Sequence, residues 1–172
     1  MYKNYCLNKD VHVTLINKGL DMEDKKCILQ IASSNVGDGT IFCENRDKHL
    51  KDFDGKIYNN VHLTKLSRYI KFLTENNLAV VKIDVEGAEG NVIEGGKELI
   101  TKYHIPFLVV EFAVQMIEAH GTNALKFLQF FENNGYTISL VDFFSKEYNT
   151  SSELIKSKIN LNLYMTYKKI LE

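Results

Sequence analysis

Four carboxylates are spaced so that they can meet. Asp84, Glu86 and Glu89 lie in the segment VKIDVEGAE at 81–89, and Glu111 ends the apolar run PFLVVEF at 106–112. Both runs read as strands entering helices, and in open parallel sheets ligands bind outside the carboxyl ends of the strands. Strand side chains alternate between faces, so Val80, Lys82 and Asp84 share one face, as do Phe107, Val109 and Glu111. Asp84 and Glu111, as the last residues of their strands, then look into one crevice. Glu86 and Glu89 are expected in the first turn of the following helix. There the helix dipole favours an acid by about 0.3–1 kcal/mol, which accounts for part of their presence without any chemistry. Asp84 has little structural excuse and is the first candidate for chemistry. Gly87 lets the backbone turn sharply or approach a ligand closely. Lys82, an ammonium on a covered strand, must be paired, with Asp84 or Glu111 as partner, and reads as a strut. Four carboxylates can suggest a divalent cation. The spacing D-x-E-G-x-E is not that of a calcium loop, however, and no histidine is near in sequence, so no metal is assigned.

The elements that must position these residues can be read along the chain. Residues 11–17, VHVTLIN, alternate and predict a strand. Residues 27–33 and 40–43 predict two more, joined as a hairpin through Asp38-Gly39. The Gly37–Gly39 pair lacks the third glycine of a dinucleotide loop and reads as a turn. Leu66, Tyr69, Ile70 and Leu73 recur at helical spacing and predict a helix over 64–76 capped by Thr64. The run 78–84 predicts a strand covered on both faces, since Ala79, Val80 and Val81 do not alternate. The next helix carries Val92, Ile93, Leu99 and Ile100 and is broken at Gly95-Gly96, because two glycines cost about 2 kcal/mol relative to alanines. Pro106 starts the strand 107–112. Residues 122–134 predict an amphipathic helix stopped by Gly135, and 136–141 and 161–167 predict two closing strands. Strands alternating with helices imply an α/β fold of mostly parallel pairing with right-handed crossovers, finished by an antiparallel edge hairpin.

With 172 residues the chain suits a single domain, 1–172. Its net charge of −1, with no basic block, argues against nucleic acid and against an anionic membrane surface. No apolar run approaches a membrane span, and no signal-peptide pattern opens the chain, so a cytoplasmic location is expected. Cys6, Cys27 and Cys43 are odd in number and widely spaced, which suits buried or free thiols in a reducing compartment. The five histidines, His120 among them, lie far apart and read as surface or packing residues.

VKIDVEGAE, followed by VIEGG at 92–96 and PFLVVEF at 106–112, resembles the C-terminal half of the FkbM family of S-adenosylmethionine-dependent methyltransferases. The segments NYCLNKDVHVTLINKGL at 4–20 and SSNVGDGTI at 33–41 are similar to what precedes that signature, so the resemblance covers Asn4 to Val141. It implies a Rossmann-like class I methyltransferase fold with S-adenosylmethionine as donor and O-methylation of a sugar or small-molecule hydroxyl. It places Asp84 and Glu86 in the catalytic role, and Asp84, Gly87, Glu89 and Glu111 at the donor. Against that family the chain is N-terminally truncated: the first strand, glycine loop and helix and the second strand are not found, and Leu66-Ser67 stands where a Leu-Asp pair is usual. The crevice would then lack one wall.

Two functions are consistent with this. One is a methyltransferase whose sheet is completed by another chain. The other is a truncated paralogue, a binding or interaction module that no longer holds the donor. A third, an unrelated α/β domain with acidic strand ends, stays open at this point.

Overall fold

A computed structural model describes residues 13–34, 39–43, 54–75, 79–157 and 159–170. Among these residues, eight strands form two four-stranded sheets. The first comprises β1 (Gly19–Leu20), β2 (Lys25–Ala32), β3 (Gly39–Phe42) and β4 (Gly55–Thr64), in the order β1-β4-β2-β3. β2 runs antiparallel to both β3 and β4, and β1 parallel to β4. The 27–33/40–43 hairpin is thus present, although its turn residues 35–38 lie outside the described residues. Between Cys27–Val61 and Leu29–Tyr58 the register slips. Ile28 then faces two residues of β4, of which Asn60 has φ 60°. Asparagine tolerates that left-handed conformation, so the bulge costs little.

The second sheet comprises β5 (Val80–Ile83), β6 (Phe107–Phe112), β7 (Tyr136–Ser139) and β8 (Leu161–Tyr167), in the order β5-β6-β8-β7. β5 and β6 are parallel, as expected, and β8 is antiparallel to both β6 and β7. Alternation along β6 sends Leu108, Val110 and Phe112 into the core, where Leu163 and Met165 of β8 and Tyr136 and Ile138 of β7 join them. Six helices are described: α1 (Ile70–Glu75), α2 (Glu89–Gly95), α3 (Glu98–Thr101), α4 (Val114–Ala119), α5 (Ala124–Asn133) and α6 (Ser151–Leu154). α5 lays Phe127, Leu128 and Phe131 on the core and is started by Asn123, whose side chain accepts from the Lys126 N–H at 2.9 Å. That cap is worth about 1 kcal/mol. Gly135, at φ 86°, ends the helix as its position predicted.

Several expectations are corrected. The fold is mixed α/β, but its sheets are mostly antiparallel: among the described residues only β1–β4 and β5–β6 pair in parallel. Helix–strand alternation fixes the hand of a crossover, yet the last strand inserts beside β6 and reverses the pairing there. Residues 13–17 of the predicted first strand form no strand and are exposed, while 11–12 lie outside the described residues. β4 was not foreseen. It consumes Thr64, so the following 3-10 turn (Leu66–Tyr69) and α1 begin after Lys65 and Thr64 caps nothing. Val80 is 51% exposed, because β5 is an edge strand whose outward face is not covered there. On that face shelter begins one strand in, where Phe143 and Phe144 pack on Phe107, the β6 partner of Val80, at 4.9 and 5.7 Å between ring centroids.

The cysteine reading is overturned as well. Cys27 and Cys43 form a disulfide between β2 and the end of β3. The odd count hid it, since Cys6 is the residue left over. With it goes the thiol argument for a reducing compartment, as disulfides persist where the surroundings are oxidising. No helix among the described residues is long and apolar enough to cross a membrane.

Candidate active site

The polypeptide between β5 and α2 makes the site. After Ile83 the chain leaves the sheet at Asp84 and turns through Val85, Glu86 and Gly87, with φ 54° at Glu86 and 98° at Gly87. Helix α2 starts only at Glu89, so Glu86 lies in the preceding turn and not in the first helical turn. Two successive left-handed residues need support. Glu89 gives it: its carboxylate, 1% exposed, accepts the Val85 N–H at 2.9 Å and the Gly87 N–H at 3.3 Å. Gly87 makes the sharp turn expected of it. A Cβ there would lie 2.8 Å from the Met116 carbonyl and from Nδ1 of His120, so only glycine lets α4 close over the turn.

The same economy sets α2 against its neighbours. A Cβ on Gly95 would collide with the Asp21 carbonyl, and one on Gly96 would lie 2.8 Å from Leu66. The glycine pair does end α2, as predicted, and α3 begins at Glu98. Its additional service is close packing, which draws the first sheet to the acidic turn.

Asp84, Glu86 and Glu111 converge, with one carboxylate oxygen from each lying within 4.8 Å of the other two. Parallel register explains this: Ile83 pairs with Val110, which places Asp84 and Glu111 side by side at the carboxyl ends. Lys82 binds Asp84 at 2.6 Å, the partner foreseen, but as an exposed pair and not a buried strut. Its ammonium hydrogen-bonds Asp84 and holds that carboxyl below the usual carboxylate range, despite some burial. Glu111 is displaced the other way. Burial raises it first, then the negative charges of Asp84 and Glu86. Like charges this close favour one carboxyl keeping its proton. Glu111 is the member of the cluster whose affinity for a proton is raised. Asn160, from the far end of the β7–β8 connection, donates to the Glu111 carboxylate at 3.4 Å. Three converging acids are also a set that a hard cation could use. Asp84, however, is already engaged by Lys82.

Two cavities flank the cluster. One, of about 420 Å³, lies between the first sheet and the acidic turn and is lined by Lys25, Cys43, Glu86, Asn91, Met116 and His120 among others. The second, of about 210 Å³, is lined by Ala113, Met116 and Asn160 among others. Met116 lines both. Of the residues singled out in sequence, Asp84, Glu86 and Glu111 are brought together and Gly87 shapes the turn. Glu89 faces the backbone of that turn and stands apart from the cluster. His120, Met116 and Asn160 were missed. Asn160 lies far from the signature in sequence, and Met116 and His120, just beyond it, reach the turn only through the packing of α4.

Residues 4–138 match the family described as the methyltransferase FkbM domain. No curated protein and no solved structure matches the chain. The matched stretch spans more than half of the chain and holds all three converging acids. The protein therefore belongs to the FkbM methyltransferase family.

Proposed function

We propose that this site transfers a methyl group from S-adenosylmethionine to a hydroxyl of a sugar or other small molecule. One observation carries the reading: three carboxylates from β5, the acidic turn and β6 meet beside cavities large enough for small molecules. The donor, when bound, supplies an electrophilic methyl on a positively charged sulfur. The residues present suit such a cation, because the cluster is anionic and partly withdrawn from water. Asp84, kept ionised by Lys82, provides a fixed negative charge. Glu111, with its raised affinity for a proton, stands beside Asp84 in the cluster. Glu86 reaches the larger cavity and is placed to bind an acceptor hydroxyl. Gly87 lets the turn pack against Met116 and His120, which line that cavity, and Glu89 holds the turn. Most of the catalysis in a direct displacement is the positioning of two reactants, and a rigid turn supplies it.

A second reading has its own support. β5 has no strand on its outer side among the described residues, and its first residue, Val80, is exposed. That edge can accept a strand from another chain, either completing a donor site or serving a non-catalytic binding module. Methyl transfer from tritiated S-adenosylmethionine to a panel of methyl glycosides separates the two. The enzyme reading expects transfer by the wild type, with Asp84→Asn losing turnover while retaining donor affinity. No transfer together with no donor binding, in folded protein, would favour the binding module.

A further inference from the structure

We propose that His120 is the general base that takes the proton from the acceptor hydroxyl. This rests on the methyl-transfer reading above and adds the residue that reading lacks. Asp84 is unsuited to the task, since Lys82 depresses its affinity for a proton. Glu111 is not among the residues that line the larger cavity. His120 comes from a different element, the C-terminal end of α4, 34 residues beyond Glu86 in sequence, and lines the same 420 Å³ cavity.

Its ring is held in place. Nδ1 lies 2.9 Å from the Met116 carbonyl, an acceptor only, so Nδ1 carries the hydrogen and donates it. The neutral ring must then keep its lone pair on Nε2. The bare α-carbon of Gly87 lets this happen, because a Cβ there would occupy the space of Nδ1. One glycine thus both turns the acidic loop and seats the imidazole against it. In the reaction, the acceptor oxygen forms its bond to the methyl carbon, the carbon–sulfur bond breaks with its electron pair staying on sulfur, and the hydroxyl proton passes to Nε2. The resulting imidazolium returns that proton to water. Imidazole is the side chain that makes this exchange near neutral pH. Glu86, Asp21 and Lys25 are the other titratable groups lining the cavity. Glu86 stabilises the imidazolium, and Asp21 and Lys25 are paired with each other at 3.1 Å.

The test needs no acceptor. The His120 ring protons, identified by their loss in His120→Gln, are titrated by NMR in the free protein, with S-adenosylhomocysteine and with S-adenosylmethionine. The two ligands differ by a methyl group and one positive charge. If His120 faces the reacting sulfur, the cationic ligand lowers its midpoint by about one pH unit relative to the neutral thioether. Coinciding midpoints with both ligands bound, seen as shifts of the Glu86 and Gly87 amides, overturn the assignment of His120 and leave the methyl-transfer reading standing. If neither ligand moves any amide at millimolar concentration, the donor site itself is refuted and His120 falls with it.

Discussion

Removing the Cys27–Cys43 disulfide should lower stability by an amount the topology sets. The two residues are 16 apart in sequence and join β2 to the end of β3. Closing a loop of that length restricts the unfolded chain by about 3 kcal/mol in the chain-entropy account. For a protein of this size each kcal/mol moves the melting temperature by about 2–4 °C, so Cys43→Ala should melt about 6–12 °C below the wild type. Cys43 lines the larger cavity and is only half-buried, so its truncation removes the crosslink with little loss of core packing, whereas Cys27 is fully buried. Differential scanning fluorimetry with and without reductant provides the assay. Reductant should bring the wild type down to the variant and leave the variant unmoved. Thiol titration in denaturant gives an independent count. Of the three cysteines, one should react before reduction and all three after it. Three reactive thiols in the unreduced protein, or a variant melting with the wild type, would refute the reasoning.

Other substitutions probe the site and its supports. Glu111→Gln should stabilise the protein at neutral pH. A carboxyl whose folded pKa is raised favours folding below its unfolded value of 4.5 and loses that contribution as pH rises through the folded value. The gain should vanish below about pH 4.5 in urea titrations across pH, and a variant destabilised at pH 7 would contradict the raised affinity of Glu111 for its proton. Glu89→Ala leaves the Val85 and Gly87 N–H groups without their acceptor and should cost about 2–4 kcal/mol, of which Glu89→Gln restores most. An alanine variant with an unchanged denaturation midpoint would show that Glu89 does not hold the turn. Tyr136→Phe removes the buried hydroxyl that donates to the Ile105 carbonyl at 2.9 Å, and should cost about 1–2 kcal/mol by the same measurement. A stability equal to that of the wild type would mean the carbonyl finds another donor.

The acidic segment was legible because its information is local. A strand ending at Asp84, a glycine turn and a second strand ending at Glu111 follow from alternation and turn chemistry, and parallel register then brings the two acids together. The outer face of β5 was misread for a physical reason. An apolar run signals burial on both sides only if something lies on both sides, and Val80 belongs to an edge. β4 was missed since GKIYNNVHLT mixes β-branched residues with an Asn pair that interrupts the alternation and here forms a bulge. The disulfide depends on the pairing of β2 with β3, which cysteine spacing does not encode. His120 could not be found at all, because a lone histidine acquires meaning only when α4 folds its Nδ1 over Gly87.

Isothermal titration of the protein with S-adenosylmethionine tests the central claim most directly. The account predicts saturable one-to-one binding by the unmodified chain, weakened when Asp84 and Glu86 are both replaced by their amides. Absence of binding at millimolar donor, in protein shown to be folded, would contradict it.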